Sequence, residues 1–174
     1  VQRLADLAIA DFEFIYNHFD ALLKENGQLS VSWMGIPSHG RMHIPSCDFS
    51  ALISEQFFKD FGLPILQRET KSMSHNIFHV DGSGVAKHLD AILSVPDVHA
   101  LQWVQGVGDK YPIMQWVPLI QDMQDRGMPV IVDLSIDDLN DFIAVMDPEG
   151  LFLWVAVEDE QEELDILDRL KKWV

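Results

Sequence analysis

Only one cysteine, Cys47, occurs in the 174 residues. An internal disulfide is therefore excluded, and so is a cysteine-rich zinc knuckle; a reducing, cytoplasmic setting is the expectation. Positive charge is scarce, with 12 Lys and Arg against 28 Asp and Glu and a formal charge of −16. A field of that sign repels phosphate backbones and anionic lipid alike, so neither nucleic acid nor a membrane surface is an expected partner. Long apolar runs are missing, and no basic start leads into an apolar stretch, which gives neither a spanning helix nor a signal peptide. A dinucleotide fingerprint is missing too. Gly106-Val-Gly108 lacks the third glycine and a helix start at the required distance, so no nicotinamide cofactor is expected. Low-complexity segments and tight internal repeats are also absent.

What is present is ordinary globular material. With 48% hydrophobic and 23% charged residues the chain has enough apolar surface to bury for one domain, 1–174, and too little length for two full ones. Leu4, Leu7, Ala8, Phe12, Ile15, Phe19, Leu22 and Leu23 recur at helical spacing and predict a helix over 4–25, stopped by Asn26-Gly27. A strand is expected at 29–33, feeding a loop interrupted by Gly35, Pro37 and Gly40, with a short strand at 42–47. Ser54-Glu55 opens a helical stretch expected to stop near Gly62-Leu63-Pro64, with a second piece over 65–72. From there strands at 76–80, 100–103, 130–134 and 151–157 alternate with helices at 84–94, 113–126, 136–146 and 161–173. Short connections between alternating elements mean parallel strands joined by right-handed crossovers, hence an α/β fold. About five strand-helix units fill the chain, whereas a closed (β/α)8 barrel takes roughly 250 residues. An open doubly wound sheet and part of a barrel fit the spacing equally well.

In both architectures ligands bind where parallel strands finish. In Phe78-His79-Val80-Asp81-Gly82-Ser83-Gly84, the period of two puts His79 and Asp81 on one side of a strand end. An imidazole and a carboxylate so spaced can hold a divalent metal or act as an acid-base pair; the bland alternative is a histidine tied to Asp81 within the loop. Cys47-Asp48 is a second candidate, a thiol beside a carboxylate, or else a small buried residue followed by a helix cap. Gln102-Trp103 ends a third strand, where Trp103 can wall a pocket or simply belong to the core. Asp133, Glu158 and Asp159 finish the last two strands and are weaker signals, and His39, His43 and Cys47, spaced by four, lie among loop formers rather than on a helix.

The ordered set Trp33-Met-Gly-Ile-Pro, Gly40-Arg-Met-His-Ile-Pro-Ser-Cys47-Asp48-Phe-Ser50, Phe78-His79-Val-Asp81-Gly82-Ser-Gly84 with His88-Leu-Asp90, and Leu101-Gln-Trp103-Val-Gln-Gly106 resembles the uroporphyrinogen decarboxylase-like superfamily. It is most similar to a bacterial branch of corrinoid- or methyltransferase-related proteins, and the similarity runs from about Trp33 to the end. The resemblance implies a (β/α)8 TIM barrel of which this chain supplies the C-terminal half or more, the N-terminal strands being absent. It also implies decarboxylation of a small carboxylate, or methyl transfer involving a corrinoid. In the superfamily's zinc methyltransferases one strand ends in His-x-Cys-Gly and a later strand brings a second cysteine. Here His79 matches, Asp81 stands in place of the cysteine, and Val155-Ala-Val157-Glu158 carries none. Losing both thiolates argues against thiol activation and for harder chemistry. Cys47 would restore one sulfur if it neighboured His79.

The implied site is therefore Asp48 and His79 for proton transfer or orientation, Asp81 to fix the imidazole, and Trp33, Gln102 and Trp103 against the substrate. Zinc or another divalent metal is expected on Cys47, His79 and Asp81. The expected partners are a small-molecule substrate, a corrinoid protein, and a second copy or a chain supplying the missing half-barrel. A non-catalytic half-barrel that docks on another chain is the competing reading.

Overall fold

A computed structural model describes residues 2–105 and 113–174. Gly106 and Gly108, on which the argument against a nicotinamide cofactor rests, lie outside the described residues. The chain divides into two compact units, residues 1–99 and 100–174. Among the described residues no helix is long and apolar enough to cross a membrane.

The first unit opens with α1 (Gln2–Glu25), as its apolar spacing predicts. Ile9 is buried on its inner face, Phe12 lies against the His43 ring with centroids 4.6 Å apart, and Tyr16 donates its hydroxyl to the Met42 carbonyl at 2.9 Å. The strand expected at 29–33 is shorter and returns on itself. β1 (Ser30–Val31) and β2 (Pro37–Ser38) form an antiparallel hairpin, closed by Gly35 N–H donating to Ser32 O at 3.0 Å, and Trp33 stands in its turn. β3 (Met42–His43) runs parallel to β4 (His75–Asp81), pairing Met42 with His75 and His43 with Asn76. The pairing resumes as an isolated bridge between Ser46 and His79.

Between β3 and β4 lie a 3-10 turn (Asp48–Leu52), α2 (Glu55–Phe57), a π-helical turn (Phe58–Gly62) and α3 (Leu63–Lys71). The stop expected at Gly62-Leu63-Pro64 is not a stop. Pro64 has no N–H and its ring would crowd the carbonyl four residues back. The wider turn, in which Leu63 N–H bonds to Phe58 O, carries the helix past it. After β4, the helix expected over 84–94 is split into α4 (Gly82–Ala86) and α5 (Leu89–Leu93).

The second unit is more regular. β5 (Ala100–Val104), β6 (Val130–Leu134) and β7 (Leu151–Val155) lie side by side and parallel, in the register Trp103–Val132–Leu153. A 3-10 turn (Ile113–Trp116) leads into α6 (Val117–Asp125), and α7 (Leu139–Ile143) and α8 (Glu160–Leu170) follow β6 and β7. Leu101, Trp103, Ile120, Met123, Val130, Val132, Leu139 and Phe142 are wholly buried and make its core. In both units parallel strands alternate with helices, so the chain is an α/β protein.

Candidate functional site

β4 supplies the centre of the site. Phe78 and Val80 are buried, whereas His79 and Asp81 are half-buried, as expected for alternate residues pointing to opposite faces. His79 N–H donates to Pro45 O at 2.9 Å, and the bridge sets Ser46 level with His79. Two residues further along each segment come Asp48, the first residue of the 3-10 turn, and Asp81, the last residue of β4. One oxygen of Asp48, one imidazole nitrogen of His79 and one oxygen of Asp81 all lie within 4.8 Å of one another. Among the described residues no other group of three such ligands forms.

Three local features hold this arrangement. Ser46 Oγ donates to Asp48 Oδ1 at 2.9 Å, which orients an otherwise exposed carboxylate. Gly82 has φ +72°, a left-handed conformation that lets the chain turn from β4 into α4 immediately after Asp81. A Cβ at Gly84 would lie 2.7 Å from the Ala51 Cβ, so α4 can press on the 3-10 turn bearing Asp48 only because that position has no side chain. Trp33, 65% exposed, meets the His79 ring edge-on at a centroid separation of 5.3 Å and an interplanar angle of 83°. The hairpin turn thus places an indole beside the imidazole, as a flat apolar surface next to charged groups.

Several expectations for individual residues change. Cys47 is outside the ligand group; Asp48, its neighbour, takes the place given to it. Cys47 is half-buried against a cavity of about 80 Å³ lined by Phe58, Leu66 and Phe78 among others. Burial pushes its thiol pKa up, and the carboxylates of Asp48 and Glu69 add to the shift. The thiolate is the form that binds metal, so this environment disfavours coordination by sulfur. Asp48 is not a helix cap either: Cys47 occupies the cap position of the 3-10 turn, and Asp48 lies within its first turn.

Trp103 belongs to the second unit, has no exposed surface, and packs on Trp116 with centroids 4.9 Å apart. A side chain so enclosed is core rather than the wall of an open pocket, because a parallel strand is covered on both faces. Gln102, in the same strand, is also buried. His43, considered with His39 and Cys47, is engaged elsewhere, with Nε2 2.6 Å from Glu69 Oε1. Asp159 caps α8, accepting from Glu162 N–H at 2.9 Å. Sequence reasoning missed Ser46, although Ser-x-Asp spacing at a strand end is a recognisable local hydrogen-bonding pattern. It also missed the contact between Trp33 and His79, for which no local signal exists.

Two carboxylates facing one imidazole form a net negative group of oxygen and nitrogen donors. Such a set suits borderline and hard divalent ions such as zinc, manganese or iron, and it does not match a thiolate-rich, thiol-activating zinc site. No family model matches the chain, and comparison with curated proteins and with solved structures gives no match either.

Proposed function

We propose that the chain is part of a uroporphyrinogen decarboxylase-like (β/α)8 enzyme domain, with its site at the C-terminal ends of the strands. In this reading the Asp48–His79–Asp81 group takes a divalent cation and a small carboxylate-bearing substrate. The observation that supports it is the convergence of those three side chains at the ends of two paired parallel segments. Two carboxylates alone would repel an anionic substrate, and a bound divalent cation would cancel that charge and give the substrate's carboxylate a cationic centre to bind. Asp48, oriented by Ser46, and Asp81 hold the charge; Trp33 offers its exposed indole to the apolar body of the substrate.

Decarboxylation fits this donor set better than thiol methylation, because Cys47 is outside the group and its burial disfavours the thiolate. In such a step the carbon–carboxylate bond breaks, carbon dioxide leaves, and the electron pair stays on carbon. A solvent water then gives a proton to that carbon, and the hydroxide left behind is neutralised by bulk solvent. Methyl transfer from a corrinoid protein would need a thiol-activating partner outside this group.

Calorimetric titration with Mn2+ and Zn2+ tests the reading. One site per chain is expected, with affinity falling at least tenfold in His79→Ala and in Asp81→Asn. A wild-type protein that binds neither ion, or variants that bind as tightly as wild type, would overturn it.

One observation favours the competing, non-catalytic half-barrel. Among the described residues β7 pairs with β6 alone, and two residues on one of its faces, Phe152 and Trp154, are 48% and 46% exposed. An apolar edge strand with no charge between Leu151 and Val157 is a ready template for another strand. In that reading the chain is a docking element, and it binds no divalent ion at His79.

A further inference from the structure

His79 and Asp81 belong to β4, whereas Asp48 belongs to a short 3-10 turn and must be brought to them. Upstream, the bridge between Ser46 and His79 holds its segment. Downstream, the hold comes from the break between α4 and α5. There the His88 ring, 2% exposed, has Nε2 2.9 Å from the Ser50 carbonyl oxygen, two residues past Asp48. A carbonyl only accepts, so Nε2 carries a proton and donates it; in the neutral ring Nδ1 is then an acceptor, and it has no partner among the described residues. The ring stacks on Phe58 at a centroid separation of 4.5 Å and an interplanar angle of 23°. Its backbone is fixed as well, with His88 N–H donating to Val85 O at 2.9 Å and Ile92 N–H donating to His88 O at 3.0 Å. Beside it the exposed Lys87 donates through Nζ to Ala51 O at 2.9 Å.

Packing alone does not call for a histidine at this position. A phenylalanine would stack on Phe58 as well and would bury no unpaired nitrogen, which costs free energy. What the imidazole adds is one hydrogen bond in a buried setting, where water does not compete for it, and that bond ends on the turn bearing Asp48. We infer, on the divalent reading of the Asp48–His79–Asp81 group, that His88 is a positioning residue for it, holding Asp48 within reach of the other two ligands through the Ser50 carbonyl. The stretch from β4 to α5 thus supplies two ligands directly and orients the third by folding back on it. Partners outside the ligand sphere fix ligand geometry in metal sites, and losing one typically costs about 10- to 100-fold in affinity.

Calorimetric titration with Mn2+ on variants of the whole chain tests this role. His88→Phe keeps the stack on Phe58 and loses the donor, so its affinity should fall at least tenfold. His88→Gln loses the ring but puts an amide N–H about where Nε2 stands, and it should rescue binding to within about threefold of wild type. A purely structural role predicts the reverse order, since the aromatic replacement disturbs packing less. In an Asp48→Asn background His88→Phe should cost no further affinity, because the ligand it positions is already impaired. Should His88→Phe fail to fold, His88→Asn takes its place: its amide reaches only to the position of Nδ1, and it should bind at least tenfold more weakly than His88→Gln. A wild type that binds Mn2+ beside a His88→Phe that binds as tightly, a His88→Asn equal to His88→Gln, or an undiminished loss in the Asp48→Asn background would overturn the role of His88 alone. A wild type that binds no Mn2+ would overturn the divalent reading and the role of His88 with it.

Discussion

The two compact units divide regularity and chemistry unequally. Residues 100–174 have three parallel strands in unbroken register, and their strand side chains are spent on packing: Leu101, Trp103, Val130 and Val132 are wholly buried. Residues 1–99 contain a short hairpin, a 3-10 turn, a π-helical turn and a split helix around one long strand, and they hold the group of Asp48, His79 and Asp81. Irregular backbone is what allows charged groups from separate segments to meet, because a regular strand covered on both faces has no room for them. In β5 and β6 of the second unit local pattern and burial agree, whereas β7 leaves Phe152 and Trp154 exposed. In the first unit, local pattern yields wherever side chains must converge.

Substitutions can break or sharpen that contrast. The largest loss is expected in the regular unit: Phe142→Ala removes a wholly buried ring and should cost about 3–5 kcal/mol, measured by urea unfolding. In the irregular unit Gly84→Ala should cost about 1–3 kcal/mol, since the new methyl group would overlap Ala51, and it should also weaken divalent binding through Asp48. If it left both stability and binding unchanged, the pressure of α4 on the 3-10 turn would not matter to the site.

Helix caps allow a matched pair. Asp159→Ala and Ser54→Ala each remove a side chain that accepts from the backbone N–H three residues on. Each should cost about 1 kcal/mol, with the aspartate the dearer because its charge also meets the helix dipole. His79→Ala should change stability by less than either cap while abolishing tight metal binding, which separates chemistry from scaffold in a single variant.

The smallest effect concerns Cys47. Its thiol pKa is raised by burial first and by Asp48 and Glu69 second, so less thiolate is present at any given pH than in an unfolded chain. Alkylation by iodoacetamide at pH 8 should therefore be slower than for a free cysteine and should accelerate only at higher pH. By linkage, the protonated thiol favours the folded state below the ordinary cysteine pKa. That contribution fades as pH rises through the raised value.

Much of the second unit was legible in the sequence. The strand expected at 130–134 is found at Val130–Leu134, and those at 100–103 and 151–157 differ only at one end. Continuous apolar runs bounded by glycine or polar residues suffice for β5 and β6, buried on both faces, and also for β7, whose faces stay partly exposed. The first unit was less so. Nothing local indicates that Pro64 would be passed by a π-helical turn, since the solution uses a hydrogen bond from Leu63 to Phe58 that no turn signature encodes. The same division runs through the site. His79 and Asp81 were legible because a period of two puts them on one face, whereas the choice between Cys47 and Asp48 was not.

The amino-acid order by itself therefore determined the α/β class, the strands of the second unit, and the shared face of His79 and Asp81, because each follows from short-range periodicity. Only the tertiary structure decided that Asp48 rather than Cys47 joins them, that Trp33 lies against the imidazole, and that Trp103 is core. Neighbours one residue apart turn in different directions. Which of them meets a distant strand is fixed by non-local pairing, here the register of Ser46 with His79, and no local pattern carries that information.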